Sequence, residues 1–180
     1  MRIVGIDPGL RVTGYACVDL RPGAQSLSLV EAGVIRLKAA EPVAARLCAL
    51  HRDLGEILDE LRPDRVAVEE VFAHVAHVRT AIVMGHGRGV VLLAVAERGL
   101  GLDELAPAEV KKALTGRGQA SKAQMQRAAM SQFGLRALPE PPDVADAIAI
   151  AACAARRQID LREGPLPPPG PRRRGRPGRG

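Results

Sequence analysis

The chain has 180 residues, is 47% hydrophobic and nearly lacks aromatics, with two Phe, one Tyr and no Trp, which bounds it to about one α/β domain around an aliphatic core. Its formal net charge is +6, but five of those charges are Arg172, Arg173, Arg174, Arg176 and Arg179; the chain up to residue 163 carries only +1, so any polyanion must be held by local patches and not by bulk charge. No apolar run approaches the ~20 residues of a membrane span, and Asp7 interrupts the first apolar run, which argues against a signal peptide.

Residues 2–7, 13–20 and 26–37 read as three strands of a hairpin meander, with turns and bends at Gly9, Gly14 and Gly23. Residues 42–61 predict a helix: Val43, Leu47, Leu50, Leu54, Ile57 and Leu61 recur at three- and four-residue steps. Arg65 to Glu69 is a short apolar strand after a helix, expected to join the sheet in parallel. Residues 73–80 read as a loop and 81–98 as a helix containing Gly85, Gly87 and Gly89, each costing roughly 1 kcal/mol there but permitting close contact with another helix. Leu100 to Leu105 predicts a fifth strand. Pro107 suits a first helical turn, and 108–115 continues it to a loop at Gly116 to Gly118. Ser121 reads as the N-cap of a helix to Phe133, stopped by Gly134. A rigid Pro139 to Pro142 connector precedes a last helix over Asp143 to Ile159.

From Gly164 on the chain is almost all Pro, Gly and Arg and is expected to be disordered. The expected organisation is thus one domain over 1–160 and a basic tail over 161–180. The fold class is α/β, a mixed five-stranded sheet flanked by helices. Cys17, Cys48 and Cys153 stand in no ligand-like spacing and read as small buried hydrophobes in a reducing compartment, hence a cytoplasmic protein.

Four carboxylates stand out. Asp7 ends an apolar first strand and runs straight into a Pro8-Gly9 turn; a lone buried carboxylate is costly unless paired or metal-bound. Glu69 ends the Val66-Ala67-Val68 strand, where α/β sheets build their sites. Glu70 is its neighbour, and since successive strand side chains face opposite ways, only one of the two can face Asp7. Asp143 and Asp146 lie on one helical face. A first-turn helix residue explains Asp143, but Asp146 sits among Val144, Ala145, Ala147 and Ile148 and wants a charged partner. Oxygen ligands of this kind suit hard divalent ions, and four carboxylates suit a pair of them placed for attack on a phosphodiester.

Three motifs, Gly5-Ile-Asp-Pro-Gly9 with Arg11-Val-Thr-Gly14, Ala67-Val-Glu-Glu-Val-Phe72, and Asp143-Val-Ala-Asp-Ala-Ile-Ala-Ile150, together resemble those of the RuvC family of Holliday-junction resolvases. The likeness runs from residue 2 to about residue 158. It implies a ribonuclease-H-like fold and a homodimer that cuts four-way junction DNA with Mg²⁺, two ions per site and Mn²⁺ as a substitute. It also implies a link to the branch-migration complex RuvA–RuvB. Carried over, the acidic site is Asp7, Glu69, Asp143 and Asp146; Glu69 is preferred to Glu70 because the family's glutamate stands three residues before its aromatic, here Phe72.

Residues 109–127 hold Lys111, Lys112, Arg117, Lys122 and Arg127 against Glu109 alone. Lys111 and Lys122 match lysines of functional importance in the family; Lys112 and Arg127 read as a solvated helix face. Phe72 is expected to stack on or wedge between bases. The loop after it carries His74 and His77, a departure from the family pattern that reads as solvated loop and not as a zinc site. The Gly85 to Val90 stretch resembles the family's dimer helix, with Arg88 at its arginine position. Three rival readings remain: a sugar-kinase-like ATPase, whose further phosphate and adenosine motifs are not visible; a junction-binding protein that does not cut; and a ribonuclease-H-like nuclease that acts on RNA or another branched nucleic acid.

Overall fold

The structure is a computed structural model that describes residues 1–21, 26–70 and 78–163. The elements in chain order are β1 (Arg2–Asp7), β2 (Val12–Leu20), β3 (Leu27–Arg36), α1 (Val43–Leu61), β4 (Arg65–Glu69), α2 (Val78–Glu97), β5 (Gly101–Leu105), α3 (Pro107–Thr115), α4 (Lys122–Phe133) and α5 (Pro142–Glu163). The sheet order is β3-β2-β1-β4-β5. The meander is antiparallel; β4 adds to β1 in parallel, as expected, and β5 adds to β4 in parallel, both through helical crossovers.

Period-two alternation divides the apolar residues between two cores. Ile3, Ala16, Val18, Ala67 and Leu105 face α3, α4 and α5. Val4, Ile6, Cys17, Val66 and Val68 face α1 and α2. The helix ends follow local chemistry. Ser121 Oγ accepts from the Gln124 backbone N–H at 3.3 Å, and Gln124 Oε1 accepts from the Ser121 N–H at 2.8 Å, a reciprocal cap that starts α4 at Lys122. Gly116 and Gly134, at φ 75° and 63°, close α3 and α4 in the left-handed conformation that glycine adopts freely.

α5 is the central helix. Val144, Ala145 and the whole run Ala147–Ala155 are buried, since α5 lies between the sheet and the α3–α4 layer. Its alanines let it approach the sheet at backbone distance, and Gly5 provides the matching gap: a Cβ there would stand 2.4 Å from Ala151 N and 2.5 Å from Ala147 O.

Three local expectations need correction. Cys48 is exposed, unlike Cys17 and Cys153; it lies almost opposite the Leu50–Leu54 stripe of α1 and was never on its apolar face. α2 begins at Val78, so residues 78–80 are helical and not loop. α5 continues to Glu163, because residues 160–163 are tolerated in a helix and the next proline is Pro165. The arginine tail lies outside the described residues.

Replacing Gly5 by Ala should destabilise the fold by about 1–3 kcal/mol, since backbone and not a movable side chain occupies the space. Thermal or urea unfolding of Gly5→Ala against the parent measures this; an unchanged midpoint would refute the close docking of α5.

Candidate active site

Asp7 is the last residue of β1, and Glu69 the last of the parallel neighbour β4. The register Ile6↔Val68 sets both carboxylates one step beyond it on adjacent strands. Ala67 belongs to the α5-side core and Val66 and Val68 to the other, so alternation turns Glu69 toward α5, as it does Asp7, and Glu70 away. Strand alternation therefore puts Glu69, the glutamate that the resemblance prefers, and not Glu70 on the α5 face.

The helix brings the other pair. Gly14 is the strand partner of Asp7, and a Cβ on Gly14 would stand 2.2 Å from Asp143 O and 3.3 Å from Asp143 Cβ. The first turn of α5 thus rests on the strand beside Asp7, with Asp146 one turn further along. Both aspartates are partly exposed, in contrast to the buried residues between and after them.

The four acids act on one another. Burial, then repulsion from Asp146, Asp143 and Glu69, pushes the Asp7 carboxyl up to about 7, with Lys122 opposing. Burial and Asp146 raise Glu69, with Lys111 opposing. Burial and Asp143 raise Asp146 against the pull of Lys122 and Lys111. Both lysines therefore bear on the acids, although among the described residues neither closes to an ion pair with them.

The donor set fits a hard divalent cation by its chemistry: every side chain is a carboxylate, and their mutual repulsion is what such a charge would relieve. Among the described residues no three His, Cys, Asp or Glu side chains are gathered closely enough to hold a metal ion as they stand, so ligation requires the carboxylates to draw together.

The remaining expected residues are more scattered. Arg117 is exposed on the α3–α4 connection, beside an open cleft of about 490 Å³ that Arg127 also lines. Arg88 pairs with Glu104 of β5, on the α1–α2 face of the sheet and away from the acids. Phe72, with His74 and His77, lies outside the described residues. The supporting roles of two further residues were not read from the sequence. Thr13, fully buried, donates from Oγ1 to Gly9 O at 2.7 Å and accepts from the Gly9 N–H at 3.2 Å, bracing the turn after Asp7. Arg46 donates from Nη1 to Leu10 O at 2.8 Å in the same turn. The sequence signals for Thr13 are a polar residue within an apolar strand and its place in the Arg11-Val-Thr-Gly14 motif; Arg46 has none.

The family model described as crossover junction endodeoxyribonuclease RuvC matches residues 3–154. The chain is 46% identical to the crossover junction endodeoxyribonuclease RuvC of Rhodopirellula baltica over 151 residues, 84% of each protein. It is 43% identical to that of Moorella thermoacetica over 86% of this chain and 91% of that one. The structure resembles T. thermophilus RuvC in complex with Holliday junction substrate, with a TM-score of 0.77 and 31% identity over 88% of this chain and 96% of that one. Matched by the family model over most of its length and 46% identical to a relative over 84% of each chain, the chain belongs to the crossover junction endodeoxyribonuclease RuvC family.

Proposed function

We propose that the chain is a structure-specific endonuclease that resolves four-way DNA junctions, hydrolysing phosphodiesters at two symmetric positions and leaving 5′-phosphate and 3′-hydroxyl ends in recombination and repair. The observation that carries this reading is geometric: β1 and β4 end side by side at Asp7 and Glu69, and the first turn of α5, with Asp143 and Asp146, packs on Gly14 beside Asp7. The likeness to a RuvC seen with a Holliday junction substrate supports it.

Asp7, Glu69, Asp143 and Asp146 would hold Mg²⁺, two ions per site, with Mn²⁺ as a substitute. Such ions supply an activated water and charge stabilisation for in-line displacement at phosphorus. The chain's own cations do the rest. Lys111 and Lys122, whose charges already act on the acids, would bring positive charge to the scissile phosphate. Arg117 meets the backbone further along, a contact that positions without reading sequence. Arg88 can reach a phosphate only by sharing or opening its pair with Glu104. Phe72 is assigned to base stacking on the resemblance alone.

A two-fold junction calls for two sites, hence a homodimer. On α2, Ile82 and Leu93 are 56% and 51% exposed, and Gly85 and Gly89 have nothing within 4 Å of an added Cβ. That is an apolar helix face with room for a second helix against it. RuvA–RuvB as partner and the cytoplasm as compartment follow from the same reading. No described helix is long and apolar enough to cross a membrane.

Asp7→Asn should still bind a synthetic four-way junction while Mg²⁺-dependent cleavage drops by at least about two orders of magnitude; end-mapping and gel shift read both, and cutting at the parent's rate would sink the site. Leu93→Glu should turn a dimer into a monomer by light scattering and uncouple the two incisions. Stability gives a third check. Folding lifts the Asp7 carboxyl from an ordinary 3.8 to about 7, so the folded chain holds that proton more tightly. The associated stability is fully present below about pH 4 and lost as pH rises toward about 7. Without divalent metal, Asp7→Asn should therefore melt above the parent at about pH 8, and the gap should close below about pH 4. A gap that widens in acid would be the wrong sign.

A further inference from the structure

The sheet end that carries Asp7 continues across β2 to the end of β3. Asp7 pairs with Gly14, Gly14 with Val34, and Arg36 stands two residues further, opposite Val12. Two strand spacings and two residues separate Asp7 from Arg36, roughly 12 Å, or three to four base pairs of duplex. Here β3 and α1 enclose an open cleft of about 500 Å³.

The cleft is basic. Arg36, Lys38, Arg46 and Arg52 line it, against Glu41 and Asp53. The acids are engaged only at the surface. Lys38 meets Glu41 at 3.6 Å with 84% of the lysine side chain exposed, and Arg52 meets Asp53, its sequence neighbour, at 2.8 Å. Such exposed pairs are weak and open readily. Arg36 and Arg46 make no ion pair among the described residues. Arg46 is also half-satisfied: one Nη donates to Leu10 O, while its Nε is shielded from solvent without an acceptor. A charged donor in that position calls for an anionic oxygen.

We propose that this cleft is a second phosphate site, which seats the backbone of a junction arm beside the strand presented to the acids. The proposal rests on the reading of the chain as a junction nuclease. Guanidinium groups match phosphate oxygens in pairs, and the cleft opens at the sheet end that carries the acids but on the α1 face, opposite the one they occupy, so a junction arm would reach it by passing over the end of β3. A protein partner fits less well. The apolar lining is Ala45, Ala49 and the buried Leu37, with no pocket for the aromatic or aliphatic anchor on which protein interfaces depend. Because Arg46 also holds the turn that follows Asp7, a phosphate in the cleft would fix that turn from below.

Cys48 reports on the site directly. It is exposed and lines the cleft, whereas Cys17 and Cys153 are buried, with thiols pushed up to about 11 and about 12, and react slowly. The test labels the full chain with a maleimide in EDTA, with and without a saturating synthetic four-way junction, binding being followed in parallel by gel shift. The junction should slow Cys48 labelling severalfold. In R36A/R52A the protection should weaken, and the slope of log affinity against log salt should fall by about two. A junction that binds while Cys48 reacts at its free rate overturns the cleft and leaves the nuclease reading standing. Failure of the parent to bind the junction at all overturns both. Protection by polyglutamate but not by the junction overturns the proposal in favour of an acidic protein partner.

Discussion

Backbone contact between α5 and the first hairpin is the constraint on which the site depends. Gly5 leaves room for Ala147 and Ala151, and Gly14 leaves room for Asp143. Glycine is a poor strand residue by propensity. Here two of them hold a buried alanine helix at a separation no side chain would allow. Asp143 and Asp146 ride on that helix, so apolar packing forces together carboxylates that repel one another. The stability of the core and the charge of the site pull in opposite directions, and the core is large enough to prevail.

The opposing charges are arranged to temper that repulsion without cancelling it. Lys111 and Lys122 lower the acids' pKa values from α3 and α4, yet no described ion pair ties either lysine down. A closed lysine–carboxylate pair would occupy both a ligand and a phosphate contact. On the other side of Asp7, Thr13 and Arg46 tie the turn to the body of the domain. The carboxylate at the strand end is therefore carried on a stiff support.

Much of this was legible in the chain itself. Asp7 and Asp146 announce themselves because each interrupts an apolar segment, and strand and helix periods recover the element order. The resemblance then fixes the acids as a set. What stayed hidden depends on faces and distances. Strand periodicity alone cannot separate Glu69 from Glu70; the resemblance prefers Glu69, and the core to which Ala67 belongs shows that Glu69 is the one on the α5 face. Gly5 looks like any strand glycine until α5 is laid over it. Cys48 reads as buried by residue type, although its angular position on α1 already places it off the apolar stripe. Arg46 could not be singled out, because a carbonyl 36 residues away in the chain is its partner.

Lys122 is the first residue of α4, immediately after the Ser121 cap. That is the positive end of the helix dipole, where an ammonium group is disfavoured. Its charge nonetheless works against the upward push on the Asp7 and Asp146 carboxyls. The same ammonium charge that the start of a helix disfavours is what eases the proton affinity of Asp146 and Asp7, so the cap at Ser121 fixes where a helix-destabilising charge is placed for the benefit of the acids.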